Sequence, residues 1–224
     1  MKATVLISID DTDMEGGEGT GRLARRIVKE LDLEVEGVTR HQLYIHPAIR
    51  YTNRNSCNVI MARAGLEIRD AVKEIVLERF QKGSDPGLAV GSIIPKSVQR
   101  FGQMAQGRVL RKEDAIRMAN ETGIYLEELG GTGDGIIGAL AGLGLCSTGA
   151  DGRYVLLEGL RELHGSVSVG RLSGMGINMI VLDSGKRVQE GTVMTAERIR
   201  PSRVAGKPML FVKEGEDVYY PVVL

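Results

Sequence analysis

The chain has 224 residues, 42% hydrophobic and 26% charged, with 29 Lys and Arg balancing 29 Asp and Glu. That size and balance fit a soluble globular protein with a substantial core, and they exclude a chain drawn to nucleic acid by its overall charge. Glycine is the outlier: its 30 residues cluster at strand-to-helix junctions, which favours tight turns and close ligand approach over low-complexity disorder.

Residues 3–9 read as a central strand, apolar on both faces. Leu23, Ala24, Ile27, Val28 and Leu31 recur at helical spacing and predict a helix over 20–31. Strands are predicted over 35–45 and 57–64, then a helix from Ile68 to Phe80 ended by Gly83, and a short strand at 88–90. Helices follow over 96–106 and 112–122, a strand over 124–129, and a small-residue helix over 136–145. Beyond residue 152 the texture turns to strands, at 154–157, 165–172, 177–182, 192–199, 208–213 and 217–223, with one competing helix near 156–163. The expectation is an α/β (α+β) protein of two lobes, a mixed-sheet front over 1–105 and a strand-rich back over 106–224.

Cys57 and Cys146 lie far apart beside apolar runs and read as buried reduced thiols, too few for a zinc site. The start enters a strand with no charged-then-apolar leader, and the longest apolar stretch, Ile136 to Cys146, is short and broken by glycine. A cytoplasmic protein with no membrane association is expected.

Three stretches carry chemistry. The first strand ends in Asp10-Asp11-Thr12-Asp13, followed by Gly16-Gly17-Glu18-Gly19-Thr20-Gly21 and the start of a helix. Carboxylates crowded there repel one another, and a hard divalent cation such as Mg²⁺ relieves that repulsion while sharing itself with substrate phosphates. Backbone N–H groups of residues 16–21, Gly17, Gly19, Thr20 and Gly21 among them, would cradle the phosphates at the helix start. The competing reading has Asp13 capping a turn, Asp10 bonding backbone amides and Glu15 and Glu18 in solvent. A P-loop needs Gly-Lys-Ser/Thr, which Gly19-Thr20-Gly21-Arg22 lacks, and Glu15 occupies the Thr/Val position of the haloacid dehalogenase pattern.

The second stretch, Gly133-Asp134-Gly135-Ile136-Ile137-Gly138, is a literal G-x-G-x-x-G. It admits a dinucleotide site, a phosphate or substrate cradle from Gly131, Thr132 and Gly133, or plain helix packing. In the third, His46 to Asn58, Arg50 and Arg54 could counter phosphate charge and the asparagines could fix a base or ribose, or the stretch is a surface loop. None of His41, His46 and His164 has metal-ligand spacing.

Four blocks, Ser8-Ile9-Asp10-Asp11-Thr12-Asp13 with its glycine loop, Pro47 to Asn55, Asp85-Pro86-Gly87, and Gly131 to Ala141, resemble the archaeal tRNA(Ile) agmatinylcytidine synthetase family in the same order. The resemblance implies a kinase-like front domain using ATP and Mg²⁺, with Asp10, Asp11 and Asp13 as metal ligands and catalytic residues. It further implies a ferredoxin-like domain associated with agmatine. Members of that family also carry an OB-like module and a zinc ribbon, which this chain is expected to lack. The expected function is therefore Mg-ATP-dependent phosphoryl transfer or amine ligation on a non-tRNA substrate, with tRNA a partner only if another protein supplies those modules. The alternatives are a non-catalytic nucleotide- or agmatine-binding module and a dinucleotide-dependent enzyme.

Overall fold

A computed structural model describes residues 3–51, 54–195 and 199–222. The chain divides into two compact units, Met1–Thr148 and Gly149–Leu224. The division falls well beyond the expected 105/106 boundary, because the small-residue helix after residue 134 packs into the front sheet.

In the front unit the order is β1 (Thr4–Asp10), α1 (Thr20–Glu30), β2 (Val35–Gln42), β3 (Ser56–Arg63), α2 (Ile68–Arg79), β4 (Gly87–Gly91), α3 (Lys96–Ala105), α4 (Lys112–Thr122), β5 (Tyr125–Glu128) and α5 (Gly135–Ser147). The sheet runs β5-β4-β1-β3-β2, and every pairing among these strands is antiparallel. The first six elements, with order β4-β1-β3-β2, make the split βαβ arrangement of ferredoxin-like folds. That arrangement lies in the front unit.

Side-chain alternation along the strands sorts the two faces. Gly21 at the start of α1 lies against Asn58, whereas Gly142 of α5 lies against Ser8, Cys57 and Val59. Hence α1 covers one face and α5 the other. From Gly138 to Cys146 α5 is buried all round, so its uniformly apolar sequence suits a helix wrapped by protein. Glycines let its neighbours come close: a Cβ at Gly144 would overlap the Val98 carbonyl of α3, and one at Gly102 would meet the backbone of Ala141 and Leu145. Both cysteines are buried thiols.

The predicted strand at 35–45 stops at Gln42, because the Leu43 N–H turns to the Asn55 carbonyl and the Tyr44 N–H to that of Ala105. The antiparallel sheet also removes the setting a dinucleotide fingerprint needs, a parallel βαβ unit. In residues 133–138 the glycines serve packing instead: a Cβ on Gly135 would overlap the Asp85 carbonyl.

The back unit contains β6 (Arg153–Leu156), a 3-10 turn (Leu160–Glu162), β7 (Gly165–Ser168), α6 (Val169–Gly174), β8 (Asn178–Val181), β9 (Thr192–Thr195), β10 (Ser202–Val204), β11 (Lys207–Glu214) and β12 (Tyr219–Pro221). Its strands run β6-β10-β11-β12-β9-β7, with β8 parallel to β11. Val167, Leu172, Ile177, Met179, Val193, Leu210 and Val212 are among its buried core. The predicted strand at 165–172 breaks at Ser168, whose hydroxyl accepts the Arg171 N–H and starts α6. The candidate helix at 156–163 is reduced to the 3-10 turn, and β10 was not predicted. The predicted strands at 192–199 and 217–223 each run partly outside the described residues.

Candidate phosphate and metal cleft

β1 delivers Asp10 as its last residue, opposite Gly87 of β4. In a continuing strand Asp10 and Asp11 would point to opposite faces. Asp11 instead takes φ 46°, a left-handed conformation that aspartate tolerates better than most residues, and both carboxylates line one cleft. The cleft holds about 370 Å³. Asp13, Asp85, Glu113 and Asp134 are its other acids, Thr20 adds a hydroxyl, and Arg50, Arg54, Arg108, Arg111 and Lys112 bring positive charge to it. Leu43, Ile49, Tyr51, Val109 and Ile137 supply apolar wall.

Asp10 is 8% exposed and lies directly against α5, where only the missing side chain of Gly138 leaves room for its Oδ2. Burial first, then the charges of Asp11 and Asp13, push its pKa up to about 8, although the Asp11 N–H donates to it. The Asp11 carboxyl is pushed up to about 6 by burial and by Asp85, against the opposing pull of the Asp85 N–H and of Arg50. These groups are held where their charge is poorly compensated by the protein.

Two further carboxylates of the cleft are occupied. Asp13 Oδ1 accepts the N–H of Thr20 at 3.3 Å and its hydroxyl at 3.0 Å, which anchors the start of α1. Asp85 accepts the N–H of Thr132 at 2.5 Å on Oδ1 and its hydroxyl at 2.9 Å on Oδ2. The two Gly-Thr-Gly segments noted in the sequence thus make the same contact, each threonine giving N–H and O–H to one aspartate.

The predicted site residues divide accordingly. Asp10, Asp11, Asp13, Thr20, Arg50 and Arg54 meet in the cleft. Gly17, Gly19, Gly21, Gly131, Thr132 and Gly133 do not line it. The expected amide cradle is partly spent within the protein: the Gly17 N–H donates to the Met14 carbonyl, and those of Thr20 and Thr132 to aspartates. Thr52 and Asn53 of the third stretch lie outside the described residues. Sequence reasoning missed Arg108, Arg111 and Lys112, although Arg108-Val-Leu-Arg-Lys112 is a visible basic run between two helices. Among the described residues, Arg54, Arg108 and Arg111 form no ion pair.

A hard cation suits this donor chemistry, since the buried carboxylates offer oxygen only. Among the described residues no three His, Cys, Asp or Glu side chains stand assembled around a metal position. Asp13 and Asp85 accept hydrogen bonds from Thr20 and Thr132 instead. Among the described residues no helix is long and apolar enough to cross a membrane.

No protein-family model matches the sequence, and neither does any curated protein. Solved structures do match. The crystal structure of TiaS in complex with an isoleucine tRNA and ATP is similar with a TM-score of 0.55 and 24% identity, over 63% of this chain and 36% of that one. The complex of TiaS with the same tRNA, AMPCPP and agmatine gives the same values. A tRNA fluorescent labeling enzyme is similar with a TM-score of 0.54 and 25% identity, over 63% of this chain and 36% of the other. This chain therefore corresponds to little more than a third of those proteins' length. Across 63% of its own length it has the fold of TiaS, the synthetase that its four sequence blocks resemble.

Proposed function

We propose that the front unit binds ATP with Mg²⁺ in this cleft and transfers the γ-phosphoryl group to an acceptor oxygen, releasing ADP; an amine then attacks the carbon bearing that oxygen, forming a C–N bond and expelling phosphate. The observation that carries the reading is one cleft with under-neutralised buried carboxylates and four arginines, of which Arg54, Arg108 and Arg111 form no ion pair among the described residues. A nucleotide triphosphate with its cation offers the complementary order of charge: metal toward the carboxylates, phosphate oxygens toward the guanidinium groups. The solved relatives were crystallised with ATP or AMPCPP, tRNA and, in one case, agmatine, which supports a nucleotide and an amine as ligands.

Asp10 and Asp11 would hold Mg²⁺, with Asp13 the third donor if it exchanges its Thr20 contact for the ion. Bound there, the ion would neutralise charge on the transferring phosphoryl group. Arg50 and Arg54 orient the phosphates through directed N–H donors, and Arg108, Arg111 and Lys112 hold the far end of the tail or the acceptor. The apolar wall of Leu43, Tyr51, Val109 and Ile137 accommodates a base and keeps water from the nucleophile's path. The phosphoryl acceptor is an oxygen of a small molecule or of tRNA.

The test is release of ADP from ATP by the purified chain in Mg²⁺, alone and with tRNA, agmatine and other amines. Amine-stimulated turnover that falls to background in Asp11→Asn supports the reading. Tight nucleotide binding with no turnover under any acceptor would replace the enzyme with a binding module.

A further inference from the structure

Asp85 is the point at which all four sequence blocks touch. It lines the same cleft as Asp11 and its charge helps raise that carboxyl, which ties it to the first block. Its side chain, almost wholly buried, accepts both donors of Thr132, and Gly131 at φ 64° permits the approach: a Cβ there would overlap Asp85 Oδ1. Arg50 of the second block brings Nη1 to 3.8 Å from Asp85 Oδ2, while its Nη2 donates to the Gly83 carbonyl at 2.8 Å. The rest of the Asp-Pro-Gly block completes the clamp. The Pro86 carbonyl accepts the Leu129 N–H, and Gly87 packs on the backbone of Gly135 and Ile136.

A buried carboxylate with no role could be replaced at little loss by an apolar group. Here it instead fixes one partner that faces the cleft and one that does not. The Arg50 side chain is 61% exposed, so its guanidinium keeps donors for a ligand while its direction is set from behind. Thr132, drawn back onto Asp85, fixes the path of the loop that leads into α5 and so the position of Asp134, Gly135 and Gly138 on the cleft wall.

We infer that Asp85 is a positioning residue: it aims Arg50 at the phosphates and locks the 131–133 loop behind them, without itself touching the nucleotide. This deepens the reading of the cleft as a phosphate site and rests on it. Asp85 would act on nucleotide affinity chiefly through Arg50, so the two residues must be energetically coupled.

The measurement is a double-mutant cycle on the affinity of the full chain for a non-hydrolysable ATP analogue with Mg²⁺, using Asp85→Asn, Arg50→Gln and the pair. Asparagine keeps an acceptor for the Thr132 N–H and removes the charge that holds Arg50. Each single variant is expected to bind about tenfold more weakly. The pair is expected to be no weaker than Arg50→Gln alone, with urea unfolding run alongside to separate general destabilisation. Additive losses, or an Asp85→Asn variant of unchanged affinity, would overturn the inference. Should Asp85→Asn fail to fold, Thr132→Val and Arg50→Gln form the substitute cycle. Those residues meet only through Asp85 among the described contacts, so coupling supports the inference and additivity rejects it. A wild-type chain that binds no nucleotide would instead remove the reading of the cleft itself, and this inference with it, a result distinct from additivity.

Discussion

Gly138 and Asp10 occupy one space: the carboxylate at the end of β1 lies where a side chain on the second turn of α5 would be. In an exposed helix a Gly→Ala change stabilises by about 1 kcal/mol. At position 138 the sign reverses. Gly138→Ala must displace Asp10 or lift α5 from the sheet, and is expected to destabilise the chain by about 1–3 kcal/mol. Urea unfolding of the variant checks the sign directly.

The buried acids make the free protein sensitive to pH in an unusual direction. Both carboxyls lie above the ordinary value of 3.8 in the folded chain, Asp11 at about 6 and Asp10 at about 8, so folding favours their protonated forms. Their contribution to stability is full below the unfolded value and is lost as pH rises through about 6 and then about 8. Mg²⁺ binds the ionised forms, so the melting temperature should rise more on adding Mg²⁺ at pH 8 than at pH 5. Thermal melts over that range, with and without the ion, test this. Asp10→Asn should flatten the apo profile.

Asp13 has a structural task whatever else it does. Asp13→Ala removes the acceptor for two donors of Thr20, and the start of α1 is expected to fray at a cost of about 1 kcal/mol. Hydrogen exchange at residues 20–23 should quicken in this variant. Asp13→Asn retains a neutral acceptor and should leave exchange there near wild type, separating the anchoring task from any service to a cation.

Much of this site was legible in the chain. An apolar run ending in aspartates predicts a strand end that gathers charge, and β1 ends at Asp10. The helix start at Thr20 follows from the spacing of Leu23, Ala24 and Ile27. The contacts that decide local detail were not legible, because they join residues distant in sequence. Asp85 bonds Thr132 across 47 positions, and nothing beside either residue announces the other. The Gly-Thr-Gly loops read as free amide cradles because a sequence does not display which carboxylate already holds the threonine. Val167 and Val169 alternate as a strand would, yet a hydroxyl at Ser168 is enough to turn the chain into α6. Arg108 and Arg111 sit in a connector between helices, where only the packing of α3 and α4 brings them to the cleft.

Those two arginines give a separate prediction. With no ion pair to lose among the described residues, Arg108→Ala with Arg111→Ala should change folding stability by no more than about 0.5 kcal/mol. Nucleotide affinity should fall about tenfold at low salt, and by less as ionic strength rises and screens the charge. Calorimetry at two salt concentrations, beside an unfolding curve, separates the effects.

The most direct measurement is calorimetric titration of ATP into the wild-type chain and into Asp10→Asn/Asp11→Asn, each with Mg²⁺ and with EDTA. The cleft as described predicts that wild-type binding depends on Mg²⁺ and that the double variant loses roughly a hundredfold in affinity in its presence. Wild-type affinity unchanged by EDTA, or a double variant that binds as the wild type does, would contradict it.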